Sequence, residues 1–454
     1  MEIADTTVIN SIGIALTLLM CILMLVLPRR YALLPVLVLT CYMSMGQQIV
    51  VAGLHFTMIR ILVIFGWLRV LLRGEVGRIK LNGVDKAMIW WTISGTLLYF
   101  LLWQTSEALI NRFGYAYNAL GLFFLFRILL KNREDVDQMS RMFALCMVGL
   151  AVLIVGEKFS GRNVFAIFGG VPAMAVIRDG VIRCQGPFAH PILAGTFAAT
   201  NVPFLMALWW KGKLDKIVAL LGVAAAAAVM VASGSSGPVM AFGFAVVGLC
   251  MWPLRRHMRL VRWGLIVGLV ATHLAMKAPI WFLIARMSVF DASTGFFRAR
   301  LIDATIRNFS TWWLMGIKTT DQWGPGLFDI TNEYIAQGVH GGLLTMVLFV
   351  VIISRGFGSV GRTVRDYKNS PKSVKIGTWA MGCALLAHCA TYFSVSYFDQ
   401  NIVTWFLLLA VISNGPMFAR RETLLLQQAS AAAKVSHEEL TIPLDDYTPV
   451  QSTV

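Results

Sequence analysis

Charge is what this chain has least of. Asp, Glu, Lys and Arg together make up 14% of its 454 residues, where a soluble globular domain carries about a quarter. Acidic residues are the scarcer half, 23 against 39 basic ones, and histidine occurs seven times. The seven cysteines form no C-x-x-C pair. Six of them (Cys21, Cys41, Cys146, Cys250, Cys383 and Cys389) fall inside apolar runs, which leaves Cys184 alone in a polar segment. A disulfide framework and a thiolate metal site are thereby excluded. There is no P-loop, no dinucleotide-binding unit and no internal repeat, so any energy for the reaction has to come from the substrate or from a gradient.

What the chain has in place of charge is hydrophobic length. Apolar residues make up 57% of it and the mean hydropathy is +0.71. Apolar runs lie near 8–27, 31–50, 54–72, 87–103, 113–130, 139–156, 191–210, 217–233, 237–253, 263–284, 341–354, 376–393 and 400–414. Runs of roughly 17 to 25 residues satisfy their own backbone in lipid as helices. The expectation is an all-α polytopic membrane protein with about 12 to 13 transmembrane helices over 1–414. The first run follows Glu2 and Asp5 and precedes Pro28-Arg29-Arg30, with no basic leader, so it is expected to be retained as a span. The segment 415–454 changes composition and is expected to be a weakly ordered cytoplasmic tail with a short helix near 419–434.

Lys and Arg in alternate loops set the orientation. The loops at 29–30, 69–86, 127–141, 211–216, 255–262 and 355–375, with the tail, hold 27 of the 39 basic residues, which places them in the cytoplasm. The segments 157–190 and 285–340 then lie outside. The net charge of +16 is mostly this bias, so nucleic acid is not an expected partner. Twelve basic residues escape the pattern: Arg60, Arg112, Lys158, Arg162, Arg178, Arg183, Lys277, Arg286, Arg298, Arg300, Arg307 and Lys318. Ten of them fall between 158 and 318, a concentration that suits a phosphorylated lipid or an anionic headgroup surface.

Three stretches carry candidate chemistry. In the first, Arg178 and Arg183 precede Gly186-Pro187 and His190-Pro191, and Pro191 opens a helix. A helix amino end beside a guanidinium suits a diphosphate, while the plainer reading is a cap with an interfacial arginine. In the second, Ser233-Gly234-Ser235-Ser236-Gly237-Pro238 is a tight turn between two spans. In the third, the 56-residue segment 285–340, Arg298, Arg300, Asp303 and Arg307 sit on a helix whose apolar face is Phe296, Phe297, Leu301, Ile302 and Ile306. Arg300, Asp303 and Arg307 share a face and read equally well as a solvated ion-pair row. Arg298 lies about 200° round from Arg300, so only one of the two points readily at a common ligand. Lys318, Asn332, Glu333 and His340 follow. Trp312, Trp313, Trp323 and Phe328 suit interfacial anchoring or stacking on sugar faces.

The order of R-x-x-G-P-F-x-H-P (183–191), S-G-S-S-G-P (233–238), R-x-x-L-I (298–302), G-I-K (316–318) and T-N-E-Y-I-x-x-G-V-H-G-G-L-L (331–344) resembles the O-antigen ligase and Wzy-type O-antigen and exopolysaccharide polymerase family, over roughly 178–350. The resemblance implies a GT-C-like membrane glycosyltransferase of the bacterial inner membrane, with its large partly helical loop and active site in the periplasm. Such an enzyme moves glycan from an undecaprenyl-diphosphate carrier to a saccharide acceptor without a metal or another cofactor, alongside other polysaccharide assembly proteins. It implies catalytic roles for Arg183 and for Arg298, with Arg300 as the second choice. Arg178, His190, Arg300, Lys318 and Asn332 are the expected substrate-binding residues. The family's ligase pattern has His-Asn where this chain has Thr331-Asn332. That departure favours a polymerase over a lipopolysaccharide ligase and leaves the base open between Glu333 and His340. The competing class is a lipid-linked oligosaccharide transporter, which would show pseudo-repeats and ionisable groups near mid-membrane; Arg60 and Asp399 are the two residues that would qualify.

Overall fold

The structure, a computed structural model, describes residues 8–51, 54–77, 79–286, 292–368 and 370–440. Asp291 and the residues from 441 to the end, which belong to the expected outer loop and tail, lie outside the described residues. The chain is mostly helical. It opens with α1 (Ser11–Val26) and a short α2 (Leu34–Tyr42), then turns through a two-stranded hairpin of β1 (Gln48–Val51) and β2 (Leu54–Thr57) into α3 (Met58–Leu72). The run at 31–50 is therefore not one span. Its helix stops after nine residues, and Gln48-Ile49-Val50-Val51, rich in β-branched residues, pairs antiparallel with 54–57, Gln48 opposite Thr57.

Next come α4 (Gly83–Trp103), α5 (Ser106–Leu129) and α6 (Arg133–Ser160), then a second hairpin of β3 (Val176–Arg178) and β4 (Val181–Arg183), with Val176 opposite Arg183. The sequence expectation of an all-α chain thus misses two small hairpins. They are followed by α7 (Pro191–Met206), α8 (Lys213–Ala232), α9 (Ser236–Cys250), α10 (Met258–Ala275), α11 (Leu283–Arg286), α12 (Ala292–Arg307) and α13 (Phe309–Trp312). The chain closes with α14 (Glu333–Asp366), α15 (Lys372–Thr391) and α16 (Gln400–Leu440). Among the described residues, six helical stretches are long and apolar enough to cross a membrane: Arg133–Ser160, Pro191–Trp210, Lys213–Ala232, Trp252–Ala275, Glu333–Asp366 and Gln400–Leu425. Ser11–Val26 and Ser236–Cys250 are apolar but shorter. No helix break separates a tail at 415: α16 continues through Pro416 to Leu440, carried by a Leu-, Gln- and Ala-rich stretch of good helix formers.

The connecting segments gather into two groups. At the end we call lower, Asn82 caps α4 and Asp85 returns the bond to its backbone. Asp85 also meets Arg127 at 3.1 Å and accepts from Ser413 Oγ at 2.7 Å, all three buried. Arg141 pairs with Asp215 at 2.7 Å, and Arg29 and Lys211 pair with Asp135 and Asp137. At the upper end Val8 N bonds Gln48 O at 3.1 Å, Asn10 Nδ2 bonds Ile167 O at 2.8 Å, and Gln400 Nε2 bonds both Met43 O (3.0 Å) and Pro187 O (3.1 Å). The lower group takes in the loops at 29–30, 69–86, 127–141 and 211–216, which Lys and Arg set apart in sequence, and the upper group takes in parts of the segment 157–190. Between the two ends lies one apolar core drawn from α1–α8 and α14–α16, with Trp91, Phe123, Phe126, Phe143, Phe197 and Phe406 fully buried. A second, smaller core of Leu301, Ala304, Trp312, Trp323, Leu327, Ile335 and Val339 fastens α12 and the segment after it onto the first turns of α14.

Candidate functional site

Arg183 reaches its place because the chain after β4 is locked from four sides. Cys184 N donates to Ala232 O at 3.0 Å, the buried Glu157 carboxylate accepts from Gln185 N (3.0 Å) and Gly186 N (2.9 Å), and Asn163 Nδ2 holds Gly186 O at 2.8 Å. Gly186, at φ +56, makes the turn in a conformation that side chains disfavour. The guanidinium of Arg183, 9% exposed, then lands on Ser235 Oγ at 2.7 Å. Ser235 is the residue from which α9 starts, so the first two candidate stretches form one group. His190 caps α7, its Nδ1 accepting from Ile192 N at 3.2 Å. That bond leaves Nε2 as the donor of the neutral ring. Burial, then the charges of Arg183 and Arg178, push the His190 imidazole down to about 4, so it is neutral at ordinary pH and both arginines lie close to it. Arg178 itself is exposed on β3 with Asp179 3.6 Å away.

The second group forms around the first turns of α14. Asn332 is its cap, accepting from Ile335 N at 3.2 Å. Glu333 is 7% exposed and both of its oxygens are occupied, by Gln337 Nε2 at 2.7 Å and by Tyr397 N at 2.5 Å. Its own N donates to Tyr392 O at 2.9 Å. Of the two candidate bases, Glu333 is thus the clamp that ties α14 to the 392–399 segment. His340 stands two turns further along and is solvent-accessible. Directly after it the helix breaks at Gly341 (φ −158) and Gly342 (φ +65). The break frees Val339 O to accept from Ile317 N at 2.8 Å, while Leu343 N donates to Trp313 O at 2.7 Å. The Gly316-Ile317-Lys318 stretch is therefore pinned beside His340, which carries Lys318 Nζ to 5.5 Å from the Trp103 ring.

These two groups share an end. Asp399, with φ +63, accepts from Ala189 N at 2.7 Å, and Tyr397 two residues earlier donates to Glu333. Burial raises the Asp399 carboxyl to about 7. Residues 392–399 are thus a bridge from the Arg183 and His190 group to Glu333. Of the two residues singled out for a mid-membrane charge, Asp399 is in this bridge and Arg60 opens α3, bonding Asn118 Oδ1 at 3.0 Å and His55 O. α12 forms over Ala292–Arg307 as the sequence predicts. On it Arg298 is buried at 5% exposure and Arg300 is half-buried against Gly324, so the two do diverge and Arg298 is the one turned inward. Asp303 and Arg307 form an exposed pair at 2.7 Å, the solvated row. Trp312 and Trp323, expected at an interface or on a sugar, are instead buried in the second core; Trp313 and Phe328 are exposed. The hydroxyl of Thr331, where the family pattern has His, is buried without a hydrogen-bond partner.

Sequence reasoning left Arg112 out of the site. It lies in the second turn of α5, 9% exposed, with its guanidinium 3.6 Å from the Tyr99 ring and 5.3 Å from Tyr115. Tyr99 also faces His340, at 6.1 Å between ring centres. Only its presence among the basic residues that escape the loop bias marked it. Among the described residues, no three His, Cys, Asp or Glu side chains come together in a metal-binding group. The chain is mostly helical, with six helices among the described residues long and apolar enough to cross a membrane, and basic and aromatic side chains gather at one end. Comparison with models of known families and with curated proteins finds no match to this chain.

Proposed function

We propose that the chain is a polytopic inner-membrane glycosyltransferase of the O-antigen ligase and polymerase type, with twelve to thirteen spans and the upper end in the periplasm. It transfers glycan from an undecaprenyl-diphosphate carrier to an acceptor sugar, as a polymerase of exopolysaccharide or O-antigen repeats rather than a lipopolysaccharide ligase. The observation that carries this reading is Arg183 seated on Ser235 Oγ, where α9 begins, beside a neutral His190 that caps α7. Two helix amino ends and a buried guanidinium give an anion several preorganised donors.

A diphosphate is already a good leaving group, so the protein's work is to stabilise the charge that grows on it and to orient the attacking hydroxyl. In the proposed step an acceptor hydroxyl oxygen bonds to the anomeric carbon of the donor, and the bond from that carbon to the diphosphate oxygen breaks. The electron pair leaves with the diphosphate, which Arg183 and the Nε2–H of His190 hold, with Arg298 assigned to the same charge. The hydroxyl proton goes to His340, which is accessible, in preference to Glu333, whose oxygens are both occupied. Glu333 acts by positioning the 392–399 bridge.

The test is purified protein with undecaprenyl-diphosphate-linked repeat units, without nucleotide or added metal, read as product length on a gel, with Arg183→Ala and Arg298→Ala in parallel. A product ladder that both substitutions abolish is the expected result. Transfer to a lipid A core acceptor alone would return the assignment to a ligase. Movement of the lipid across liposomes with no glycan transferred would make the protein a transporter.

A further inference from the structure

The cluster around Arg112 has features that diphosphate chemistry does not require. Arg112 is nine-tenths buried, forms no ion pair among the described residues, and its Nε has no hydrogen-bond partner. A buried guanidinium without a counter-charge is costly, and an anion supplied from outside is the way to offset it. Its neighbours are aromatic: Tyr99 stacks on the guanidinium, Tyr115 flanks it, and Trp103 lies 5.5 Å from Lys318 Nζ. Lys318 and His340, both solvent-accessible, stand at the edge of the cluster.

We infer that the Arg112 cluster, between the upper ends of α4, α5 and α14, binds an acidic sugar of the acceptor glycan, with Arg112, held flat by Tyr99, taking its carboxylate and Tyr115 and Trp103 taking ring faces. A planar guanidinium matches a carboxylate fork to fork, and an aromatic wall fits the apolar face of a pyranose, whereas a bare phosphate has no such face. The inference rests on the glycosyltransferase reading for the word acceptor. It adds the substrate class, a glycan bearing uronic acid, and places the bound sugar beside His340.

The test is equilibrium binding to the full-length protein in nanodiscs, followed by tryptophan fluorescence, with three probes: a galacturonic acid trimer, a neutral glucose trimer and undecaprenyl diphosphate. The acidic trimer is expected to bind more tightly than the neutral one. Arg112→Met should weaken the acidic trimer about 10- to 100-fold, as for loss of a charged hydrogen bond, and leave undecaprenyl diphosphate unchanged. Arg183→Ala should do the reverse. Equal binding of the two trimers by the unsubstituted protein overturns the inference, and so does an Arg112→Met protein that keeps the preference. If Arg112→Met instead loses undecaprenyl diphosphate, the cluster is a diphosphate site and the inference falls. Should Arg112→Met fail to fold, Arg112→Lys keeps the charge and loses the fork, and Tyr99→Leu removes the stacking face; each is expected to lower the preference. The binding assay needs no turnover. Glycan transfer without acid preference would sink this inference alone, and acid preference without transfer would sink the transferase and leave a glycan-binding cluster.

Discussion

Single residues carry two predictions. Arg183 is fixed by the backbone bonds of Cys184, Gln185 and Gly186, so Arg183→Ala removes a donor without releasing the turn. A loss of about 10²- to 10³-fold in turnover is expected for one preorganised donor, with thermal stability nearly unchanged; a comparable drop in melting temperature would make the residue structural. Asp399 gives a pH signature. Its carboxyl is raised by burial to about 7, against about 3.9 in an unfolded chain. The folded state therefore binds the proton more tightly, and this group's contribution is fully present below about pH 4 and is lost as pH rises towards 7. His190, held down to about 4 by burial and by Arg183 and Arg178, works in the opposite sense, gaining stability as pH rises towards about 6.5. Unfolding in detergent at a series of pH values should thus show Asp399→Asn gaining relative to the native protein as pH rises from 4 to 7. A difference that does not vary with pH would refute the raised carboxyl.

At the scale of elements the break in α14 matters most. Gly342 has φ +65, and a Cβ there would stand 2.5 Å from Leu314 O. Gly342→Ala is therefore strained, at about 1 to 3 kcal/mol for the backbone alone, and it displaces the 313–318 segment that carries Lys318. Gly361, further along the same helix, is exposed, and a Cβ there would meet nothing within 4 Å. Gly361→Ala should be neutral or stabilising by up to about 1 kcal/mol. Melting curves of the two variants make the comparison, and equal effects would mean that the break has no structural consequence. The same element explains what sequence periodicity misses. Gly341-Gly342 reads as part of an apolar run, whereas their φ values and the bonds from Ile317 and Leu343 exist only once the 312–318 segment is docked. The run at 31–50 misleads for a related reason: hydropathy does not distinguish a buried helix from the strand that pairs at 48–57.

The whole molecule sets the sidedness. Segments grouped by contact at the two ends match the alternation of Lys and Arg, so the basic lower end is expected to face the cytoplasm. In a background with the exposed Cys250 replaced, Asp179→Cys and Thr319→Cys should react with an impermeant maleimide on intact cells. Lys213→Cys and Lys372→Cys should react only after permeabilisation. The opposite pattern would invert the topology and place the candidate site inside.

Composition and periodicity by themselves determined that the chain is mostly helical and apolar, where most of its helices lie though not their ends, which basic loops gather at one end, and that the remaining basic residues concentrate between 158 and 318. Those properties are local, being set by apolar run length, caps such as Asn82 and Asn132, and loop charge. The tertiary structure decided the rest. It closed the oxygens of Glu333 on Gln337 and Tyr397, buried Trp312 and Trp323, turned Arg298 inward, and brought Tyr99, Arg112 and His340 together from three helices. These residues are far apart in the chain and share no period, so only the packing of α4, α5 and α14 determines that they meet.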